Sequence, residues 1–386
     1  MNPPEQSNRA VPFVPWAILW LLAGVVAWIL IFRDITQPDP RHVIGRDFSN
    51  LWMAGKLALA SQSACIFDPN CFRVNLVDLL GLTAKQNYSY PPHALFMAIP
   101  FALLPYYAAL ALWTGAGVLF FTACAKPFLP QGFPPYLAAF TTAGWLTIWD
   151  GHYAFVLGGL WLLFFLWVER RPLRAGVVAG LLTFKPHMGL MIAATALKRP
   201  VAVAIAVATT AGFVIASAII FGPHRWFDFL VSTTVTQGEI LSTPDSELYF
   251  RMMPSAYVAF GRGLAGVAAQ LAFVAAAIAL LWRNHRWDAF SAATATFLII
   301  PYVFNYDMTV ACLGFAVLLF QHWQKLLWFQ RAGIFFAFLS PELTFYLPQL
   351  IPFGLLYALS LQLQLADSVE PTGLQTTPEP LTIAAD

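Results

Sequence analysis

The chain is short of charge. Only 10% of its 386 residues are Asp, Glu, Lys or Arg, while 59% are hydrophobic. A soluble domain carries about 25% charged residues, so this composition points to lipid rather than water as the surrounding solvent. Neither sign dominates: the net charge is +2, no basic stripe is visible, and a nucleic-acid partner is therefore not expected. Cysteine is scarce as well, and four residues are too few for a disulfide scaffold. Cys124 and Cys312 lie in apolar runs and read as packing residues. Cys65 and Cys71 flank Ile-Phe-Asp-Pro-Asn, a spacing that admits a loop-closing disulfide if this stretch faces an oxidising compartment. No Gly-rich nucleotide loop and no His-Glu-x-x-His motif occurs, and two cysteines alone make a poor zinc site. These absences argue against ATP or a soluble nucleotide sugar as substrate, and no metal site is expected. No tandem repeat is apparent.

What the chain has in abundance is apolar sequence. The run Phe13–Phe32 is long enough to cross a bilayer. It lacks a small-residue cleavage site and reads as a retained helix rather than a signal peptide. After a mostly polar stretch, Arg33–Pro92, apolar segments follow at His93–Leu104, Tyr106–Ala125, Pro134–Trp149, Tyr153–Val168, Leu173–Phe184, Met188–Leu197 and Val201–Phe221. A second polar loop, Gly222–Arg262, separates these from Leu264–Trp282, Phe290–Phe304, Met308–Phe320, Leu327–Tyr346 and Leu350–Leu365. The expectation is an all-α polytopic membrane protein, a single bundle of about 11–13 transmembrane helices over residues 1–365. The tail 366–386, rich in Thr, Pro and acids, is expected to be disordered. Several segments fall short of the roughly 20 residues of a straight span. Short segments broken by proline suggest broken or re-entrant helices, which survive at membrane depth only where they are buried in protein or line a wet cavity.

Short loops rich in Lys and Arg mark the cytoplasmic side. They occur at Arg170, Arg171 and Arg174, at Lys198 and Arg199, at Arg283 and Arg286, and at Lys325 and Arg331. Asp150-Gly-His152, Phe184-Lys-Pro-His187, the Gly222–Arg262 loop and Asn305-Tyr-Asp307 then fall on the opposite, outer face. A cytoplasmic N-terminus places Arg33–Pro92 there too, although that stretch carries six Lys or Arg residues and the parity requires one short segment, such as His93–Leu104, not to cross fully. Ionisable residues at membrane depth are functional candidates by default, and here they collect on one side.

Arg46-Asp-Phe-Ser-Asn-Leu-Trp-Met-Ala-Gly55 opens an amphipathic helix in the first outer loop, with Phe48, Leu51, Trp52, Gly55 and Leu59 at helical spacing and suited to the membrane surface. Asp47 and Asn50 share another face. Asp47 is open to two roles, helix cap or catalytic base. Tyr88-Ser-Tyr-Pro-Pro-His93 marks re-entry into the bilayer; it reads first as a helix start, with Tyr90 and His93 able to line a site. Lys185-Pro-His-Met188 divides two short apolar segments. A lysine there is either held at a helix break to bind a phosphate, the favoured reading, or snorkels to the interface. Asp150-Gly-His152 and Tyr306-Asp307 each end a helix, and each alone reads as a polar turn.

Taken in order, Asp47 after the first helix, Tyr90-Pro91-Pro92, Gly151-His152 before an apolar helix ending in Arg-Arg-Pro, Lys185-Pro186-His187 and Tyr306-Asp307 resemble glycosyltransferase family 87. These are polyprenol-phosphate-mannose-dependent mannosyltransferases of GT-C architecture. The resemblance spans Phe13 to Phe320. The family more often has Gly-Gln and Lys-Pro-Gln where this chain has Gly151-His152 and Lys185-Pro186-His187, which bears on the sugar and acceptor more than on the fold. The resemblance implies a GT-C-like bundle in a bacterial inner membrane with its site at the outer face. It implies a polyprenyl-phosphate sugar donor, a glycolipid, polysaccharide or other glycan acceptor, no cofactor beyond the lipid-linked donor itself, and an inverting mechanism. Asp47 matches the catalytic aspartate. Lys185, His187, Arg46, Asn50, Tyr90, His93, His152, Tyr306 and Asp307 are the candidate donor-phosphate and substrate-binding residues. The runner-up is a transporter or flippase of a polar or lipid-linked substrate, which predicts inverted repeats and polar groups on both faces. A third reading is an assembly subunit without chemistry.

Overall fold

The computed structural model describes residues 13–37, 43–81, 86–242 and 247–365. The tail expected to be disordered, 366–386, lies outside them. Among the described residues the chain is helical and has no strand. The first helices are α1 (Phe13–Thr36), α2 (Arg46–Leu59), α3 (Ser63–Ile66), α4 (Pro69–Leu80), α5 (Leu95–Ala102) and α6 (Tyr106–Ala125). The middle of the chain forms α7 (Thr142–Asp150), α8 (Ala154–Trp167), α9 (Pro172–Leu181), α10 (Leu190–Ala196), α11 (Pro200–Phe221), α12 (His224–Ser242), α13 (Glu247–Arg251) and α14 (Ala256–Ala259). The last are α15 (Leu264–Asn284), α16 (Ala289–Ile299), α17 (Thr309–His322), α18 (Trp328–Leu343) and α19 (Ile351–Leu365).

Proline and glycine set most of the boundaries. Pro69, Pro172 and Pro200 stand at the first helical position of α4, α9 and α11, where the missing N–H costs nothing. Gly81 and Gly151 end α4 and α7 in the left-handed conformation. Among the described residues, three stretches are long and apolar enough to cross a membrane: Tyr106–Phe128, Pro200–Phe221 and Leu264–Asn284. Pro92–Ala102, Ala154–Trp167, Pro172–Phe184 and Ala289–Ile299 are shorter apolar helices.

Close helix contacts are made through small residues, as expected where no hydrophobic force drives helices together in lipid. Along the α9–α11 contact, a Cβ on Gly176 would stand 2.6 Å from the Ala202 carbonyl oxygen, and one on Gly180 would stand 2.6 Å from Thr209 Cβ. Aromatic side chains join the remaining layers. Trp28 packs on Trp145 between α1 and α7, and Phe48 stacks on Trp113 between α2 and α6, with ring centroids 5.5 and 6.0 Å apart.

The structure departs from the sequence reading in three places. Most of the apolar face of α2, expected at the membrane surface, is turned into the protein: Phe48, Leu51, Trp52 and Gly55 are buried, Leu59 at the helix end stays exposed, and α2 packs on α5. Its apolar stripe matches a protein groove as well as a lipid surface, and periodicity cannot tell the two apart. The segment Pro134–Trp149 is divided into a 3-10 turn over Pro135–Ala139 and the short helix α7. The loop Gly222–Arg262 carries a 19-residue helix, α12, whose polar composition hides it from a search for apolar runs.

Candidate active site

Two glycines bring the start of α2 against the end of α7. Gly45, the cap residue before α2, has φ +74°, and Gly151, just past α7, has φ +64°. A Cβ on Gly151 would stand 2.7 Å from Phe48 Cβ and 3.2 Å from Gly45 Cα, so the close approach and the positive φ both demand glycine. The Gly45 N–H donates to the Trp149 carbonyl at 3.1 Å. Tyr106 Oη donates to the carbonyls of Ile44 and Gly45, both at 2.8 Å, and Trp113 Nε1 donates to that of Gly151 at 2.9 Å.

This junction places three charges together. The Arg46 guanidinium lies between two carboxylates, 3.7 Å from Asp47 and 3.9 Å from Asp150. Asp47 is not the helix cap: Gly45 is, and no side chain caps α2. The Asp47 carboxylate stands in the first helical turn and stays 18% exposed. Asp150 is sealed, and neither of its oxygens has a hydrogen-bond partner. Burial alone weakens the hold of Arg46 on its proton, but the carboxylates of Asp150 and Asp47 more than reverse this and its pKa is raised. Asn50, one turn on from Asp47, has its Oδ1 buried without a hydrogen-bond partner.

A second charged group forms where two helical stretches break. Past α9 the chain makes a 3-10 turn over Leu182–Phe184, and Lys185 follows in an extended conformation, as the residue before Pro186 must. Past α16 another break leads into a 3-10 turn over Asn305–Met308. That turn is held from three sides: the Asn305 N–H donates to the Met252 carbonyl at 2.8 Å, Asn305 Nδ2 to the Pro341 carbonyl at 2.7 Å, and Thr147 Oγ1 to the Tyr306 carbonyl at 3.1 Å. Across the gap Lys185 Nζ donates to both Asp307 oxygens, at 2.8 and 2.6 Å, with the two side chains only 4% and 1% exposed. The ammonium also faces the rings of Tyr153, Phe304 and Tyr306 at 5.4–5.9 Å, contacts worth about 0.5–2 kcal/mol each. Lys185 thus does not snorkel.

His152 stands beside this pair, its Nδ1 3.7 Å from Asp307 and its ring 4.1 Å from those of Tyr153 and Tyr306. Tyr90 meets Tyr153 edge-on at 4.6 Å. His187 turns toward the Tyr302 ring, and the Tyr302 and Tyr249 hydroxyls are hydrogen-bonded to each other. His93 is placed apart from these groups. Its ring stacks on Trp226 at 5.6 Å, and its Nε2 is 3.3 Å from Thr183 Oγ1. The two charged groups are joined through α7, whose Asp150 lies 3.9 Å from Arg46 and whose Thr147 Oγ1 donates to the Tyr306 carbonyl in the turn that carries Asp307.

Several residues at this centre were not chosen from sequence as site residues: Asp150, Tyr153, Tyr249, Met252, Tyr302 and Phe304. Tyr153, Tyr302 and Phe304 stand beside the very helix breaks that carry the motifs, and an aromatic at each break is the signal that finds them. Tyr249 and Met252 carry no local signal, because α12–α14 bring them in from a distant loop. Among the described residues no group of three or more His, Cys, Asp or Glu side chains is arranged to hold a metal ion.

No curated protein and no solved structure matches this chain. A family model does: that of glycosyltransferase family 87, over residues 88–304. The matched stretch contains Tyr90, His93, His152, Lys185 and His187 and covers more than half of the sequence; Asp47 and Asp307 lie outside it. With an all-helical fold and polar groups converging at broken helices, the chain belongs to glycosyltransferase family 87.

Proposed function

We propose that this glycosyltransferase moves a sugar, with mannose the first candidate, from a polyprenyl-phosphate donor to a glycolipid, polysaccharide or other glycan acceptor. The observation that carries the reading is a partly exposed carboxylate, Asp47, at the α2–α7 junction, with a buried cation, Lys185, paired to the turn that Thr147 of α7 holds. Transfer from a lipid phosphate needs both kinds of group. The acceptor hydroxyl oxygen attacks the anomeric carbon while its proton passes to the Asp47 carboxylate, a general base. The anomeric C–O bond to phosphate breaks, and its electron pair leaves on the polyprenyl phosphate, whose charge the Lys185 ammonium stabilises. A single displacement inverts the anomeric centre. Arg46 and Asn50 flank the base, and Tyr90, His152, His187, Tyr306 and Asp307 shape the headgroup end, with His93 toward α11 and α12. GT-C architecture with about a dozen spans leaves room for the prenyl chain between helices.

The reading extends to location: a bacterial inner membrane with the site on the outer side. The disulfide between Cys65 and Cys71, Cα atoms 5.2 Å apart, supports an oxidising side for the loop that carries Asp47. No cofactor besides the lipid-linked donor is required by these steps.

The test is transfer of radiolabelled sugar from a panel of polyprenyl-phosphate sugars to native membrane acceptors, with wild type beside Asp47→Asn. Wild type is expected to transfer from one donor, and Asp47→Asn to lose about 10²–10⁴-fold while keeping expression and donor binding. Normal turnover by the variant rules out Asp47 as the base. No transfer from any donor by wild type favours carriage of a lipid-linked substrate instead.

A further inference from the structure

The cation proposed for the donor headgroup is paired with a carboxylate of the protein itself. Lys185 Nζ lies 2.6 and 2.8 Å from the two carboxylate oxygens of Asp307, and both side chains are closed off from solvent. An arriving phosphodiester therefore meets a pair with no net charge. For Lys185 to hold it, Asp307 must give way, and a carboxylate left unpaired in that interior is costly.

A second partner stands ready. His152 Nδ1 is 3.7 Å from Asp307 Oδ1, so a shift of about 1 Å makes a charge-assisted hydrogen bond. The His152 ring is buried between Tyr153 and Tyr306, and neither of its nitrogens has a hydrogen-bond partner. Buried polar atoms are nearly always satisfied, and a histidine with both nitrogens empty beside a carboxylate committed elsewhere has the form of an alternative partner. The groups facing His152 come from three elements. The α9–α10 break supplies His187 and Lys185, whose positive charge works against protonation of His152 until an anion neutralises it, the 3-10 turn before α17 supplies Tyr306 and Asp307, and Tyr153 adjoins it at the start of α8.

We infer that the donor phosphodiester displaces Asp307 from Lys185, and that His152 takes up one proton as it receives the Asp307 carboxylate. This rests on the reading of Lys185 as the headgroup site. The charges balance. Before binding, the Lys185–Asp307 pair is neutral, His152 is neutral and the phosphodiester carries one negative charge. Afterwards Lys185 pairs with the phosphodiester and protonated His152 pairs with Asp307, so one proton from solvent makes both pairs neutral. Without that proton one buried negative charge stays uncompensated. His152 is then a positioning residue, acting on the donor through Asp307 and Lys185.

Titration calorimetry tests this with the full-length protein in detergent and a citronellyl methyl phosphodiester as probe. A phosphodiester lacks the second ionisation, near pKa ~6, of a monoester, so any proton taken up belongs to the protein. Runs in two buffers of different ionisation enthalpy give the proton count. Wild type is expected to take up close to one proton, with affinity rising by up to about tenfold for each unit fall in pH. His152→Gln is expected to keep its fold, bind more weakly and lose both the uptake and the pH dependence. Asp307→Asn is expected to bind more tightly than wild type without uptake, because the competing carboxylate is gone. Zero uptake by wild type, undiminished uptake by His152→Gln, or weaker binding by Asp307→Asn overturns the handover. No binding by wild type, or equal binding by Lys185→Ala, overturns the headgroup reading itself.

Discussion

At the residue scale the site is built from charges whose partners are too far away or too well matched. Asp150 is the clearest case: it is fully buried, both oxygens lack hydrogen bonds, and the nearest cation, Arg46, is 3.9 Å away. Folding gains little from such a carboxylate, since a buried charge costs several kcal/mol unless closely paired and hydrogen-bonded. Its position fits a role in holding Arg46, and through it Asp47, the proposed base. Asp150→Asn removes the buried charge while keeping the shape. It is expected to raise the thermal midpoint by a few degrees, about 1 kcal/mol, and to lower kcat/KM for sugar transfer by about 10–100-fold. Thermal unfolding in detergent and the radiolabel assay read the two effects. A lower midpoint with unchanged transfer makes Asp150 a structural residue instead. Lys185 shows what a single residue type discloses in sequence. A lysine beside a proline in apolar surroundings marks the break, but its partner Asp307, 122 residues away, is invisible to local spacing.

At the element scale, helix ends were the most legible feature. The apolar run Tyr106–Ala125 is α6 to the residue, and Pro172 and Pro200 stand at the starts of α9 and α11, because proline tolerates only the first turn. Less legible was which face each helix buries. The stripe of α2 is satisfied by α5 and α6 rather than by lipid, and the polar helix α12 has no apolar run to announce it. The α9–α11 contact carries a prediction at this scale. A side chain at Gly180 meets Thr209 Cβ at 2.6 Å and the Ala206 carbonyl at 2.9 Å, and α9 leads directly into the break at Lys185. Gly180→Leu is expected to cost about 1–3 kcal/mol through overpacking, seen as a lower thermal midpoint, and to weaken donor binding by displacing Lys185. Gly212→Ala on α11 is the control, since its Cβ meets nothing within 4 Å. It is expected to hold or raise the midpoint, because alanine favours a helix interior by about 0.5–1 kcal/mol over glycine.

At the scale of the whole molecule, the chain is a set of short and long helices whose breaks face one another. Charges from α2 and α7 pair at one junction, those from the α9–α10 and α16–α17 breaks pair at another, and α7 ties the two together. The topology makes a prediction that needs no substrate. Alkylation of unfolded protein without reductant is expected to modify Cys124 and Cys312 only, and all four cysteines after reduction, as the Cys65–Cys71 disulfide requires. In intact cells, single cysteines introduced near Asp47, Asp150 and Asp307 are expected to react with an impermeant thiol reagent added from outside. Labelling of some from outside and others only after lysis breaks the shared-face topology.

The sequence by itself determined the helical class, the positions of most helix ends, apolar helices that fit a membrane protein, and the family, because composition, proline placement and local apolar runs act over a few residues and need no knowledge of the rest of the chain. It also marked Lys185 as singular, since charge at a proline break in apolar surroundings is costly, while Asp47 stayed open between cap and base and Tyr306-Asp307 read alone as a polar turn. Only the tertiary structure decided that Gly45 and Gly151 touch, that Asp150 rather than solvent flanks Arg46, that Lys185 is held by Asp307 with His152 beside it, and that α2 turns its apolar face inward. Those are choices among partners separated by tens to hundreds of residues. They are fixed by which helices pack against which, and a local pattern satisfied equally by several neighbours does not select among them.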